Sequence, residues 1–209
     1  MSDPVARLRI PEFEVRAESP LHHVTLPGLA SPTGEGRVRL RELSLRGHLV
    51  LRLDPGQQEL VDGVERALGI PLPLKPGTSS HNDQAQLYWI SPDEWLLLTE
   101  GTQLTKLEDH LRRCLSGHYA LVNVSGGQTI LELSGPDAIQ VLKKSTGYDV
   151  HPRSLPVGKS VSTTFAKTQV LLSHMAPQNY HLVVRRSFAD YVWLWLQDAG
   201  AEYGLTIIN

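Results

Sequence analysis

Apolar positions along this chain change period in a repeating order. In "GHLVLRL" (47–53) they alternate, which places Leu49, Leu51 and Leu53 on one face of a half-buried strand. A turn at Pro55-Gly56 follows, and "ELVDGVERALGI" then spaces its apolar residues as a helix does. The order returns in "GQTILELSGPDAIQVLKKSTGY" (127–148). Gly47, Leu51 and Leu53 match Gly127, Leu131 and Leu133, each 80 residues on, and Val61 matches Val141 inside the predicted helices. A second block, "SPDEWLLL" (91–98), is echoed by "APQNYHLV" (176–183), with Pro92 matching Pro177 and Trp95 matching Tyr180 at 85 residues. Each opens a strand from a polar turn and leads into an amphipathic helix. One helix aligns Leu104, Leu107, Leu111, Cys114 and Leu115. The other aligns Phe188, Tyr191, Val192, Trp195, Leu196 and Ala199, with Ser187 placed to cap it.

This pattern predicts an α+β fold, internally duplicated as strand-helix-strand-helix halves over 37–118 and 119–209 that pack as one globular unit. Residues 1–36 read differently. They are rich in Pro, Gly and charge, end in "SPTGEG", and have too few periodic apolar residues to pack on themselves. They are expected to form an extended arm and linker, so that removing residues 1–25 leaves the stability of the core almost unchanged.

The punctuation of 123–152 fits structure better than chemistry. Pro136 suits the first turn of a helix, Asp137 the positive end of its dipole, and Gly147 its C-terminal cap. "VSGGQ" (124–128) lacks the Lys-Ser/Thr of a P-loop and the glycine spacing of a dinucleotide fingerprint, so it is expected to be a strand entry with close backbone packing.

A net charge of −2 and a pI near 6.5 offer no basic field for nucleic acid or an anionic membrane. The single cysteine, Cys114, permits no internal disulfide. No run approaches the roughly 18 apolar residues of a spanning helix, and "MSDPVARLRIPEFEVRAESP" lacks the apolar segment of a signal peptide. A cytoplasmic protein is the expectation. His110 and Cys114 have a chelating spacing but no second ligand pair, and no G-x-S-x-G elbow is present. Asp93-Glu94 occupy a turn whose counterpart is Gln178-Asn179, so that turn does not require charge. No catalytic, cofactor or metal residue is therefore assigned to this chain. Trp193 falls off the apolar stripe of the last helix; either a loop or the N-terminal arm covers it, or, with Pro20, Leu21 and His22 of the arm, it forms a partner interface.

Several long segments resemble the gamma-subunit family of heterotetrameric sarcosine oxidase: "ESPLHH", "SPDEWLLL", "VNVSGGQTILELSGP", "KKSTGYDVHP", "LPVGKSVSTTFAKTQ" and "VVRRSFADYVWLWLQDAGAEYGL". The resemblance runs from about residue 18 to 208. It implies a non-catalytic subunit that packs mainly on an alpha subunit, beside beta and delta, in an enzyme that demethylates sarcosine to glycine with production of hydrogen peroxide. It also implies FAD, FMN and NAD in alpha and beta, zinc in delta, and none of these in gamma. A remoter resemblance, carried by "LELSGPDAIQVLKKSTGYDV" and "LPVGKSVSTTF", is to the folate-binding aminomethyltransferases. It implies their folate-binding domain fold. Where that family has an acidic pair, "AKTQVLLSH" (166–174) has no carboxylate, which speaks against transferase chemistry. Two alternatives stay open: a stand-alone folate-binding protein or aminomethyltransferase-like enzyme, and the same kind of subunit in a related N-methyl amine oxidase.

Overall fold

The structure, a computed structural model, describes residues 17–24 and 36–208; the remainder of the expected arm and linker lies outside the described residues. The first copy of the repeat runs β1 (Val38–Leu43), β2 (Gly47–Leu53), α1 (Gln58–Leu68), β3 (Ser79–His81), β4 (Ala85–Ser91), β5 (Glu94–Thr99) and α2 (Leu104–Cys114). The second runs β6 (Tyr119–Asn123), β7 (Gln128–Ser134), α3 (Ala138–Ser145), β8 (Ser160–Phe165), β9 (Thr168–Ala176), β10 (Asn179–Arg185) and α4 (Ala189–Gly200), and β11 (Leu205–Ile207) follows it. Two sheets result, in the orders β3-β4-β5-β2-β6 and β8-β9-β10-β7-β1-β11.

Alternation gives every strand two faces, and both are used. On the outer face of the five-stranded sheet, Leu49, Leu51 and Trp95 pack with Leu60 and Val64 of α1 and Leu111 of α2. On the outer face of the six-stranded sheet, Leu131, Leu133 and Leu182 pack with Val141 and Leu142 of α3 and Val192 and Leu196 of α4. The inner faces meet through Tyr88, Leu96 and Leu98 on one side and Ile130, Leu171 and Val183 on the other. The molecule is thus four layers, helices outside and two sheets between. Each such Leu or Val removed from water contributes about 1.5–3 kcal/mol.

The duplication extends to an irregularity. Pairing with β5 passes from Trp89 to Ser91 and skips Ile90, and pairing with β10 passes from His174 to Ala176 and skips Met175. Ile90 and Met175, 85 apart, are the same bulge, and both turn toward the layer between the sheets. The first strands match at a different offset from the expected one. Trp95 lies opposite Leu51, and its counterpart Tyr180 lies opposite Leu133. Leu51 therefore matches Leu133, 82 residues on and not 80. A slip of two residues keeps the same face inward, so apolar alternation cannot detect it.

The sheets do not respect a cut between 118 and 119. β1 pairs with β7 and β11, in the sheet of the second half, while β6 pairs with β2 in the sheet of the first. Each crosses to the other sheet through a few residues, 44–46 and 124–127.

Some local expectations shift by a residue or two. α3 begins at Ala138, beyond Pro136, and ends at Thr146 without needing Gly147. Asp137 makes no cap hydrogen bond; it forms an ion pair with Arg37, next to β1. The residue that requires glycine is Gly135, at φ 113°, where a Cβ would lie 2.4 Å from the Arg37 carbonyl. A 3-10 turn, Arg186–Phe188, precedes α4; Ser187 makes no cap bond, and Phe188 is exposed rather than on the buried stripe.

Candidate functional site

One line of residues crosses each sheet at the level where the two inner faces meet. In the five-stranded sheet, Ser79, Tyr88, Leu96, Val50 and Val122 are direct neighbours, strand to strand. In the six-stranded sheet the matching line is Ser160, Ser173, His181, Glu132 and Arg41. The same backbone position is thus mainly apolar in one sheet and wholly polar in the other.

Direct neighbours on one face have Cβ atoms about 5 Å apart, so a row of polar side chains can bond along itself. Glu132, 7% exposed, does so. Arg41 donates from Nε to Oε1 at 2.9 Å and from Nη2 to Oε2 at 3.0 Å, a two-pronged contact. His181 Nε2 donates to Oε2 at 3.3 Å. The His181 hydrogen bond, opposed by burial and reinforced by Arg41, holds the Glu132 carboxyl down to about 2. A carboxylate that weakly basic, with both oxygens engaged, is unsuited to general base work near neutral pH. It fastens β1, β7 and β10 together.

Across the gap, the Tyr88 hydroxyl donates to Gln86 Oε1 at 2.8 Å and touches Met175 Sδ at 3.3 Å. Burial pushes its pKa up to about 12, so it stays a neutral phenol. Ser160 Oγ and His181 Nδ1 are buried without a hydrogen-bond partner among the described residues. At the Arg41 end the row opens on a cavity of about 170 Å³, lined by Arg41, Arg46, Gln86, Thr99, Glu132 and His181. Burial, with Arg41 nearby, lowers the pKa of Arg46, which is ion-paired with Glu100. Sequence reading missed this row. Glu132 inside "TILEL" and His181 inside "YHLVV" were its signals, each a charged or titratable residue in an apolar strand.

The expected interface residues fall elsewhere and do not all reach the surface. Leu21 is 1% exposed and Trp193 3%, in the same apolar cluster. The segment 17–24 and Ile207 of β11 meet Trp193 around a cavity of about 360 Å³. An indole on a second face of α4 is therefore covered by the chain itself, which corrects the expected exposure of Trp193 and Leu21. It also corrects the expectation of a detachable arm, because Leu21 belongs to the core. Pro20 is partly exposed; His22 is exposed, with Nδ1 3.0 Å from the Ser19 carbonyl and Nε2 3.3 Å from Glu18. The large apolar residue of α4 that does face outward is Leu194, 64% exposed.

His110 and Cys114 lie 3.9 Å apart on the exposed side of α2, and among the described residues no group of three or more His, Cys, Asp or Glu could hold a metal. "VSGGQ" forms a 3-10 turn, Ser125–Gly127, and Ser125 Oγ accepts the His48 N–H at 3.0 Å. A Cβ on Gly126 or Gly127 would meet nothing within 4 Å, so the close packing expected there is absent. "AKTQVLLSH" forms a turn and most of β9. It ends at His174, whose Nδ1 donates to the Leu155 carbonyl at 2.8 Å and whose ring stacks on Tyr180 at 4.5 Å. The carboxylate near this strand comes from Glu132, two strands away. Among the described residues no helix is long and apolar enough to cross a membrane.

Residues 52–202 match the model of the "Sarcosine oxidase, gamma subunit family". The chain is 32% identical over 188 residues to sarcosine oxidase subunit gamma of Corynebacterium sp. strain P-1, covering 88% of this chain and 90% of that protein. With the strain U-96 protein it is 31% identical over 196 residues, covering 93% and 94%. The structure resembles a chain of the heterotetrameric sarcosine oxidase from Corynebacterium sp. U-96, with a TM-score of 0.82, 30% identity, and 92% of this chain and 99% of that one covered. It also shares the fold of the glycine cleavage system aminomethyltransferase T from Bartonella henselae, with a TM-score of 0.62 at 11% identity, covering 83% of this chain and 48% of that one. On the match of residues 52–202 and the identity to these gamma subunits, the chain belongs to the sarcosine oxidase gamma-subunit family.

Proposed function

We propose that this chain is the gamma subunit of a heterotetrameric, cytoplasmic sarcosine oxidase, a part of the assembly that leaves the chemistry to its partners. One observation carries the reading: the likeness to a chain of the solved complex runs through 92% of this chain and 99% of that one. The chemistry of the interior agrees. The buried carboxylate is engaged at both oxygens by Arg41 and His181, which suits it to fastening strands. In this reading FAD, FMN and NAD sit in alpha and beta and zinc in delta, while gamma packs chiefly on alpha. Pro20 and His22 take part in that contact, backed from inside by Leu21 and Trp193, and exposed Leu194 and Val157 are apolar surface for a partner to cover.

The test is co-purification. The tagged chain, expressed with the alpha, beta and delta subunits, is expected to elute as a yellow complex that makes hydrogen peroxide from sarcosine. Alone it is expected to be colourless and inert. Elution by itself, together with tight tetrahydrofolate binding, would overturn the reading in favour of a folate protein.

A further inference from the structure

The two sheets are finished unequally. β1 has β7 on one side and β11 on the other, whereas β6, which stands at the same place beside β2, has no outer neighbour among the described residues. The match is residue by residue: Leu121 lies opposite Leu51 as Leu40 lies opposite Leu133. The Val124 N–H donates to the His48 carbonyl of β2, so the even-numbered residues of β6 turn their backbone groups inward. Alternation then aims those of Tyr119, Leu121 and Asn123 outward. On β1 the matching outward carbonyl, that of Leu40, accepts the Ile208 N–H at 3.0 Å, just past β11. On β6 the Leu121 carbonyl instead accepts Arg112 Nη2 at 2.9 Å. A side-chain donor from α2 stands where the amide of a sixth strand would be. Beside it Ala120 is exposed and Val122 is 52% exposed.

We propose that the outer edge of β6 is a strand-addition site, filled in the assembled enzyme by an extended segment of another subunit. The segment runs parallel to β6 along Tyr119–Leu121, as β11 runs along Val38–Leu40, and displaces Arg112 from the Leu121 carbonyl. It carries alternating apolar residues, as β11 carries Leu205 and Ile207. Two copies of this chain related by a two-fold axis would pair their β6 edges antiparallel, so the parallel seat selects a different chain.

The proposal rests on the subunit reading, and hydrogen exchange separates their fates. Exchange is followed at the amides of residues 119–123 in the full chain alone and in the co-purified complex. About tenfold or greater slowing at Tyr119 and Leu121 on assembly is expected. Val122→Lys, which places a charge on the edge, is expected to leave the melting temperature of the chain in place but lower its recovery in the complex several-fold. A complex that forms with unchanged exchange at these amides overturns the edge proposal alone. So do amides already protected in the free chain, where another segment of this chain or a second copy would hold the edge. If the wild-type chain enters no flavin complex, the subunit reading fails and the proposal with it.

Discussion

Trp95 and Tyr180 occupy matching positions after the same bulge, each facing the helices of its own half, and they are held differently. The Trp95 indole is wholly buried and donates to the Pro73 carbonyl at 2.7 Å, with Trp89 opposite it. Tyr180 has His174 in the place of that second indole and stacks on it. On the inner faces the contrast widens, from Tyr88, Leu96 and Val50 in one sheet to Ser173, His181 and Glu132 in the other. One backbone plan has thus been filled twice, once mostly with apolar contacts and once with an ionic row. Strand pairing is a backbone property, and burial fixes only which face is inward. A buried position tolerates either filling where the charged group finds partners, as Glu132 does in Arg41 and His181, even though Ser160 Oγ and His181 Nδ1 find none among the described residues.

The contrast can be broken by mutation, starting from the apolar side. Trp95→Ala is expected to cost about 3–5 kcal/mol, as large cavities in a packed core do, measured by urea unfolding of the full chain. Glu132→Ala leaves Arg41 and His181 without their acceptor and is expected to cost about 2–4 kcal/mol, less than a wholly buried pair because Arg41 is partly exposed. The ionic row should answer to acid more than its apolar counterpart does. The folded pKa of Glu132 is depressed to about 2 from an ordinary 4.5, so its contribution is complete above about pH 4.5 and is lost as pH falls toward 2. With solvent screening at Arg41 that contribution is on the order of 1–2 kcal/mol, and Glu132→Gln should remove this part of the acid limb. Gly135→Ala, at positive φ against the Arg37 carbonyl, is expected to cost about 1–3 kcal/mol by loosening the approach to β1. The smallest effect is a gain. Leu45, exposed and held at φ 55° in the crossing between β1 and β2, should yield up to about 1 kcal/mol on replacement by Gly. Equal acid sensitivity in Glu132→Gln and wild-type protein would show that the ionic row does not distinguish the sheets.

The layers were legible in the sequence because periods of 2 and 3.6 report which face is buried, and "GHLVLRL" and "QTILELS" do so plainly. The strand exchange was not, because β1 and β6 have the same composition whichever sheet they join. An offset of 80 fits the pattern as well as 82 does for the same reason: both match leucine to leucine. Trp193 misled because helical periodicity assumes one buried stripe, and α4 is covered on a second side by residues 17–24 and β11. The polar row was invisible for another cause. Its five members come from five strands spread over residues 41–181, and nothing local links Arg41 to Glu132.

The exchange of β1 and β6 also sets an order of events during synthesis. β1 is the first described strand to leave the ribosome, yet one neighbour begins at Gln128 and the other at Leu205. The five-stranded sheet can close once Asn123 has emerged, while β1 waits for β7 until Ser134 is made and keeps its other edge open until β11 follows. Contacts this distant in sequence form slowly, and open edges in the interval invite mispairing. A three-residue strand near the end of the described chain is therefore the closing step, and the nascent protein depends on it out of proportion to its size.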